Sequence, residues 1–565
     1  MTCSVFRVAA IAACLATGTA HAFSVGNDAA CTHTSIQAAI DAARALGGTA
    51  IHTITVANNA SYTGQALLIA DANLSIEGGY SSCSAAAPTD MPTVLSGAGN
   101  GGWPVLNVVN ASSGPALVVK LRNLEVTLGT HIIGGGLQVV GHADVELAGV
   151  RLHHNQATHG AGIFVQGQDA THPALLRVGA SGNRISSIDH NHASGAGGGV
   201  IVESNAQALF ERHAVSIMDN QAVQGGGLYV TANGQALLNV DTGADLPPAQ
   251  GLERNQAVTG GGAYVADGGM LSVDPEYTIT GNQATSDGGG ITAHGAAAQV
   301  FLFATTILGN RADSDGNGEG CGGGLHAESD ASITMFGDLP APLCSPASPC
   351  SHLDDNQAAQ GGGVCARFGG KALLIGTWVK GNVAPEGAAV YGSVAQRLEL
   401  DSVLMTNAHD EGHNAAIHLD FNSHFFANGL TLTDSAGGTS LIRLQNNSTA
   451  SFLYSILYQP GTSVLIKDFD STVTAACVLA HEVFPMTGEV RVGDPMFVNP
   501  GEGDYALRHT SPAVDACADI VERETDANAQ PRGIDLPTIP NLGGAYDLGA
   551  FELQRTPEIF ANGFE

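Results

Sequence analysis

His153-His154 and Asp189-His190 occupy the same place in two neighbouring copies of a repeat, immediately before Asn155 and Asn191. If the copies stack, His153, His154, Asp189 and His190 crowd one edge of adjacent coils, with Asp219 next in line. Imidazoles and carboxylates at such spacing can hold a transition metal. The same residues also read as an exposed polar turn row. A second candidate is the loop D-S-D-G-N-G-E from Asp313, where Asp313, Asp315 and Asn317 alternate ahead of Gly318. Oxygen ligands so spaced open a calcium loop, and calcium is the one cofactor the sequence suggests. The closing bidentate Glu is missing, since Gly324 stands in its place, and a plain acidic turn is the alternative.

Acid–base chemistry has fewer candidates. Asp354-Asp355 is a carboxylate pair of the sort glycoside hydrolysis uses, and equally a solvated turn beside Asn356. Arg367, Lys371 and Lys380 form the one local basic cluster among the repeats, where a lyase would need its base. No coil pairs such a base with a cation site, so no residue is assigned a catalytic role.

The elements that must position these groups are set by the repeat itself. Eight times the chain gives an aliphatic, two variable residues, Asn, a few residues, a glycine run and a short apolar strand. The Asn residues are 155, 191, 220, 255, 282, 310, 356 and 382, separated by 36, 29, 35, 27, 28, 46 and 26 positions. Three residues before them stand Leu152, Ile188, Ile217, Leu252, Ile279, Ile307, Leu353 and Val379. Such spacings suit one coil of a solenoid with loops of varying length. Glycines inside each copy disfavour a helix, and the strand after them alternates, Leu228 and Val230 inward and Tyr229 outward. The expectation is an all-β, right-handed parallel β-helix of about 15 coils and roughly 70 Å, with the Asn side chains in a ladder. β-Propeller blades need longer, more regular repeats.

On the outward side of the post-glycine strands lies the row Phe164, Ile201, Tyr229, Tyr264, Thr292, His326, Cys365, Tyr391. Its aromatics, Phe164, Tyr229, Tyr264 and Tyr391, either form a platform for sugar rings or a partner protein, or stack on one another to stabilise the sheet.

Residues 1–22 read as a secretory signal, with Arg7, an apolar run from Val8 and Ala20-His21-Ala22 as the cleavage site; I-A-A-C ending at Cys14 also has the look of a lipoprotein box. No later run is long enough for a helical membrane span. The chain has 10 cysteines, and cleavage removes Cys3 and Cys14, leaving eight. An even number in an exported chain favours disulfides, and proximity suggests Cys31–Cys83, Cys321–Cys365, Cys344–Cys350 and Cys477–Cys517. With 21 basic against 52 acidic residues, net −31, nucleic acid and anionic lipid are poor partners. T-S-I-Q-A-A-I-D-A-A-R-A from Thr34 reads as an amphipathic helix, N-capped by Thr34 or Ser35, able to plug the open end of the solenoid within an N-terminal unit of residues 23–95. Coils then fill residues 96–493.

Two stretches resemble known families. Over roughly residues 130–395, the Asn…Gly-Gly-Gly copies resemble those of polymorphic outer-membrane proteins and related parallel β-helix repeat proteins. D-P-M-F-V from Asp494, G-D-Y-A-L-R-H-T-S-P-A-V-D-A from Gly503, P-R-G at Pro531 and Y-D-L-G-A-F-E from Tyr546 are similar to the choice-of-anchor Q domain that closes bacterial secreted β-helix proteins, here residues 494–554. The tail 555–565, R-T-P-E-I-F-A-N-G-F-E, resembles a terminal sorting motif of secreted gammaproteobacterial proteins. Polymorphic outer-membrane proteins end in a long β-barrel, which this tail is too short to supply. The resemblance therefore implies a passenger, secreted or displayed on the surface of a Gram-negative bacterium, rather than an autotransporter.

The functional expectation is a non-catalytic adhesin or binding module whose partner is a polysaccharide or a cell-surface protein of a host or neighbour. The alternative is a carbohydrate-active enzyme, a polysaccharide lyase or glycoside hydrolase. The Asn-Thr-Asp, Gly-His-Gly and Arg-Ile-Lys signatures of pectin hydrolases on this fold are missing.

Overall fold

The computed structural model describes residues 20–241, 251–337, 351–410, 415–435, 438–518, 524–537 and 539–554. Most of the signal segment, the tail, and Cys344 with Cys350 lie outside the described residues. The repeats close into a parallel β-helix. Each coil contributes three strands, as in Gln207–Glu211, Val215–Met218 and Leu228–Val230, and each pairs in parallel with its counterpart in the next coil. Thus Leu209 lies beside Leu237, Ile217 beside Leu252, and Leu228 beside Ala263. The first two lanes form one continuous sheet because Thr449–Tyr458 and Thr472–Ala480 run unbroken through both. The third lane stacks 14 strands, which at ~4.8 Å each makes a column of roughly 60 Å.

Period-2 alternation fills the interior. All eight aliphatics three residues before the repeat Asn are no more than 1 % exposed, and Leu228 and Val230 are fully buried. Between the second and third lanes the chain turns at the Asn. The residue before it adopts positive φ in every copy, 54° at His154, 55° at His190, 63° at Gly281 and 62° at Gly309 among them. The N-terminal helix Ile36–Leu46 is capped by Ser35, whose hydroxyl accepts from the Ala38 N–H, and Thr34 is not used as its cap. Its buried face, Ile36, Ala39, Ile40 and Ala43, joins the core of the first coils. Parallel stacking runs to Thr487–Val492. The segment after it builds a second core against the outer side of the second lane, where Leu404, Tyr454, Ile456 and Leu479 meet Phe497, Tyr505, Leu548 and Phe551.

Candidate functional site

The turn that follows the second lane organises everything near it. Each repeat Asn is buried, and from Asn191 onward its side-chain oxygen accepts from both the backbone N–H and the Nδ2 of the Asn one coil before, while that of Asn155 accepts from the Gly129 N–H. For Asn255 these come from Asn220 at 3.0 and 3.1 Å, while Asn255 Nδ2 donates to the Ile217 carbonyl at 3.1 Å. The ladder runs from Asn155 to Asn382. It leaves the preceding, left-handed residue facing solvent, which brings the predicted histidine edge together.

His153 Nε2 lies 2.6 Å from Glu125 Oε1, and the Nδ1 atoms of His153 and His154 are 2.7 Å apart. The His154 and His190 rings stack at 5.2 Å. His190 Nδ1 meets Asp189 Oδ1 at 3.0 Å, and Arg151 clamps the same carboxylate with two nitrogens. Burial works to raise the Asp189 carboxyl, but hydrogen bonds from Arg151, Ser187 and His190 outweigh it and hold it below the usual range. Burial, then repulsion from His153 and His190, lowers the His154 imidazole. Asp219 belongs to the next link, an ion pair with Arg254 at 3.0 Å. The edge is therefore a chain of partners running from coil to coil, with its carboxylate taken up by a guanidinium.

The basic cluster does not gather. Arg367 ends a third-lane strand, Lys371 begins a first-lane strand and Lys380 ends a second-lane strand, so three faces of the rod separate them. About a dozen residues of chain amount to half a coil here. Arg367 pairs with Asp287 at 3.0 Å, and the Lys380 ammonium sits 5.0 Å over the Trp378 ring. Asp354 is in register with Lys380 and within 3.0 Å of His352, while Asp355 takes the left-handed turn position.

In the acidic loop the candidate ligands serve the loop's own backbone. Asp313 Oδ1 accepts from the Gly318 N–H, Asp315 accepts from the Asn317 N–H and Nδ2, and Asn317 Oδ1 accepts from the Glu319 N–H. These are Asx-turn contacts within the loop.

Of the two readings of the aromatic row, platform or mutual stacking, the packing matches the second more closely. The row points away from the central core, yet Phe164 is 4 % exposed and Tyr264 and Tyr391 6 % each; Tyr229 is half-buried. The segment between Asn and the glycine run folds across it, so that Ala196 packs on Phe164 and Ile201. Tyr229 stacks on Tyr264 at 5.5 Å and Tyr264 on His294 at 6.2 Å, which occupies the ring faces. Burial raises the Tyr264 and Tyr391 hydroxyls well above the ordinary tyrosine value.

Cys31–Cys83, Cys321–Cys365 and Cys477–Cys517 form disulfides, with Cα separations of 5.1, 5.8 and 6.1 Å. Three such bonds fit an oxidising compartment. Among the described residues no helix is long and apolar enough to cross a membrane.

One surface feature escaped the repeat pattern because it lies before the repeats begin. Trp103, 57 % exposed, stacks one face on His131 and with Leu68 and Pro104 walls a cleft of about 240 Å³. The stacked parallel strands and the Asn ladder define a parallel β-helix, and the three disulfides suggest an oxidising, extracellular-type environment. In comparisons with known proteins, the chain matches no family model, no curated protein and no solved structure.

Proposed function

We propose that this protein is a secreted or surface-displayed, non-catalytic binding module, with the Trp103 cleft as its point of contact with polysaccharide. The observation that carries the reading is the exposed indole beside Leu68, with Asn107 at the rim of the same cleft. An aromatic face next to a shallow apolar wall suits the C–H face of a sugar ring, and the amide supplies polar contact. The pairing of Asp189 with Arg151 and of Arg367 with Asp287 across coils, and of Lys380 with Trp378 along one strand, supports the same choice, because groups suited to acid–base work are committed to structural contacts. The resemblances to polymorphic outer-membrane repeats and to a choice-of-anchor region belong to this proposal, as does display on a Gram-negative surface.

A glycan array with the full chain and Trp103→Ala tests it. Retention of defined oligosaccharides by the parent and their loss in the variant is expected; equal retention by both, or none by either, refutes the assignment. The runner-up, a uronate lyase, predicts unsaturated product absorbing in the ultraviolet from pectin, alginate or glycosaminoglycan, and none is expected.

A further inference from the structure

Beneath the segment that crosses the third lane, three metal-ligating side chains are buried together. Cys321 stands just before a glycine run, and His326 and Cys365 are register neighbours in consecutive coils. Their ligand atoms all lie within 4.8 Å of one another, and each of the three residues is 0 % exposed. Cys321 and Cys365 are joined as a cystine, yet neither ring nitrogen of His326 has a hydrogen-bond partner. A buried polar ring with both nitrogens unpaired is unfavourable, and such a group calls for a ligand. Asp287 is adjacent: its Oδ1 accepts from the Cys321 N–H at 2.9 Å and from Arg367 at 3.0 Å.

We propose that Cys321, Cys365 and His326 form a site for a thiophilic divalent ion, with Zn²⁺ the best match, when the cystine is reduced. Two thiolates and one imidazole make three legs of a tetrahedron, the fourth being water or the Asp287 carboxylate. Cystine and metal thiolate are then alternative states of one site. Opening it takes two electrons and two protons from a dithiol, which is itself oxidised to a disulfide; metal uptake releases the two thiol protons. Asp28, Cys31 and Cys83 also lie close together, but that group has no imidazole, and Asp28 already accepts from Asn59 and from the Cys83 N–H.

The test uses Co²⁺ as probe on the full chain, produced in a reducing compartment and purified without oxygen in a phosphine buffer. The reduced protein is expected to hold Co²⁺ with a thiolate-to-cobalt charge-transfer band. His326→Gln should weaken this binding by about tenfold or more, and the oxidised protein should show no such band. Circular dichroism monitors the strands throughout. The proposal is overturned if the folded, reduced chain shows no thiolate–cobalt band, or if His326→Gln leaves the binding unchanged. It is equally overturned if reduction abolishes the strand signal and Co²⁺ does not restore it.

Discussion

Asn255 shows what one side chain contributes to this fold. Replacing it with Ala leaves the Asn220 N–H, the Asn220 Nδ2 and the Ile217 carbonyl without their partner. Each buried group so orphaned costs about 1–3 kcal/mol, so Asn255→Ala should lower the thermal midpoint by many degrees; an unchanged midpoint would show the ladder to be ornamental. Ile217, 0 % exposed on the adjacent lane, tests the interior: Ile217→Asp strands a charge there and should abolish soluble, folded protein. A folded Ile217→Asp protein with the parent's melting curve would refute the inward register. The acidic loop gives a quieter prediction. Because Asp313, Asp315 and Asn317 already accept from the loop's own N–H groups and no closing carboxylate follows, calcium affinity should be no tighter than about 10⁻⁴–10⁻³ M. Calorimetric titration of the parent and of an Asp313→Ala, Asp315→Ala double variant reads this, and micromolar binding would sink it.

At the scale of the element, the glycine run is a packing device between coils. A Cβ on Gly226 would meet the Gly261 and Gln256 carbonyl oxygens at 2.4 and 2.5 Å, backbone atoms that cannot rotate away. Gly226→Ala should therefore destabilise by about 1–3 kcal/mol or more. Gly182→Ala meets no atom within 4 Å, and with φ of +58° it pays the left-handed penalty alone. If the two substitutions shift the melting curve equally, coil-to-coil crowding is not what the glycines relieve. The repeat made this much of the fold readable, because an aliphatic three before each Asn and alternation after each glycine run have one consistent stacking. It also brought His153, His154, Asp189 and His190 to one edge. What it conveys less directly is how far around the coil two residues near in sequence stand from each other. Arg367, Lys371 and Lys380 look adjacent in sequence because only 13 positions separate the first from the last, but half a coil carries them to different faces. Alternation puts the row through Tyr264 on the far side of the strand from the core, while the strip of chain that covers it has no hydrophobic period to betray its path.

The whole molecule is a rod with its closing region folded back along one side, and the apolar core of that join is bordered by polar contacts and buried acids. Contacts of very long range border it: the Ala550 N–H donates to Thr431 and Arg532 to the Ser402 hydroxyl, while Arg532 is steadied within the closing region by the Gly549 carbonyl. Three buried carboxyls hold the turns. Asp547 accepts from the Asp515 and Leu553 N–H groups, Glu552 from those of Ile534 and Asp547, and Asp526 from Asn528, Gln530 and Glu552. Burial raises all three, and for Asp547 repulsion from Glu552 adds to it, carrying that carboxyl up to about 8; Arg532 lies within 3.8 Å of Glu552 and only partly offsets burial. A carboxyl raised in the folded state binds its proton more tightly there than in the unfolded chain. Its stabilising effect is complete below the unfolded value near 4 and is lost as pH climbs through the folded one. The join should accordingly weaken between about pH 5 and 8, by about 1–3 kcal/mol. Trp378 reports it directly, since its ring meets Phe551 at 5.8 Å, and a Trp103→Phe background removes the only other tryptophan. In that background, the urea midpoint read from Trp378 fluorescence should fall as pH rises from 5 to 8. Asp547→Asn should flatten that slope while lowering the midpoint at pH 5, because the two N–H groups meet different carboxyl oxygens and the Asn Nδ2, a donor, would face one of them. A midpoint that holds level or climbs over the same range would mean that these carboxyls ionise freely and that the closing region is held by its apolar contacts with Leu404, Tyr454 and Ile456.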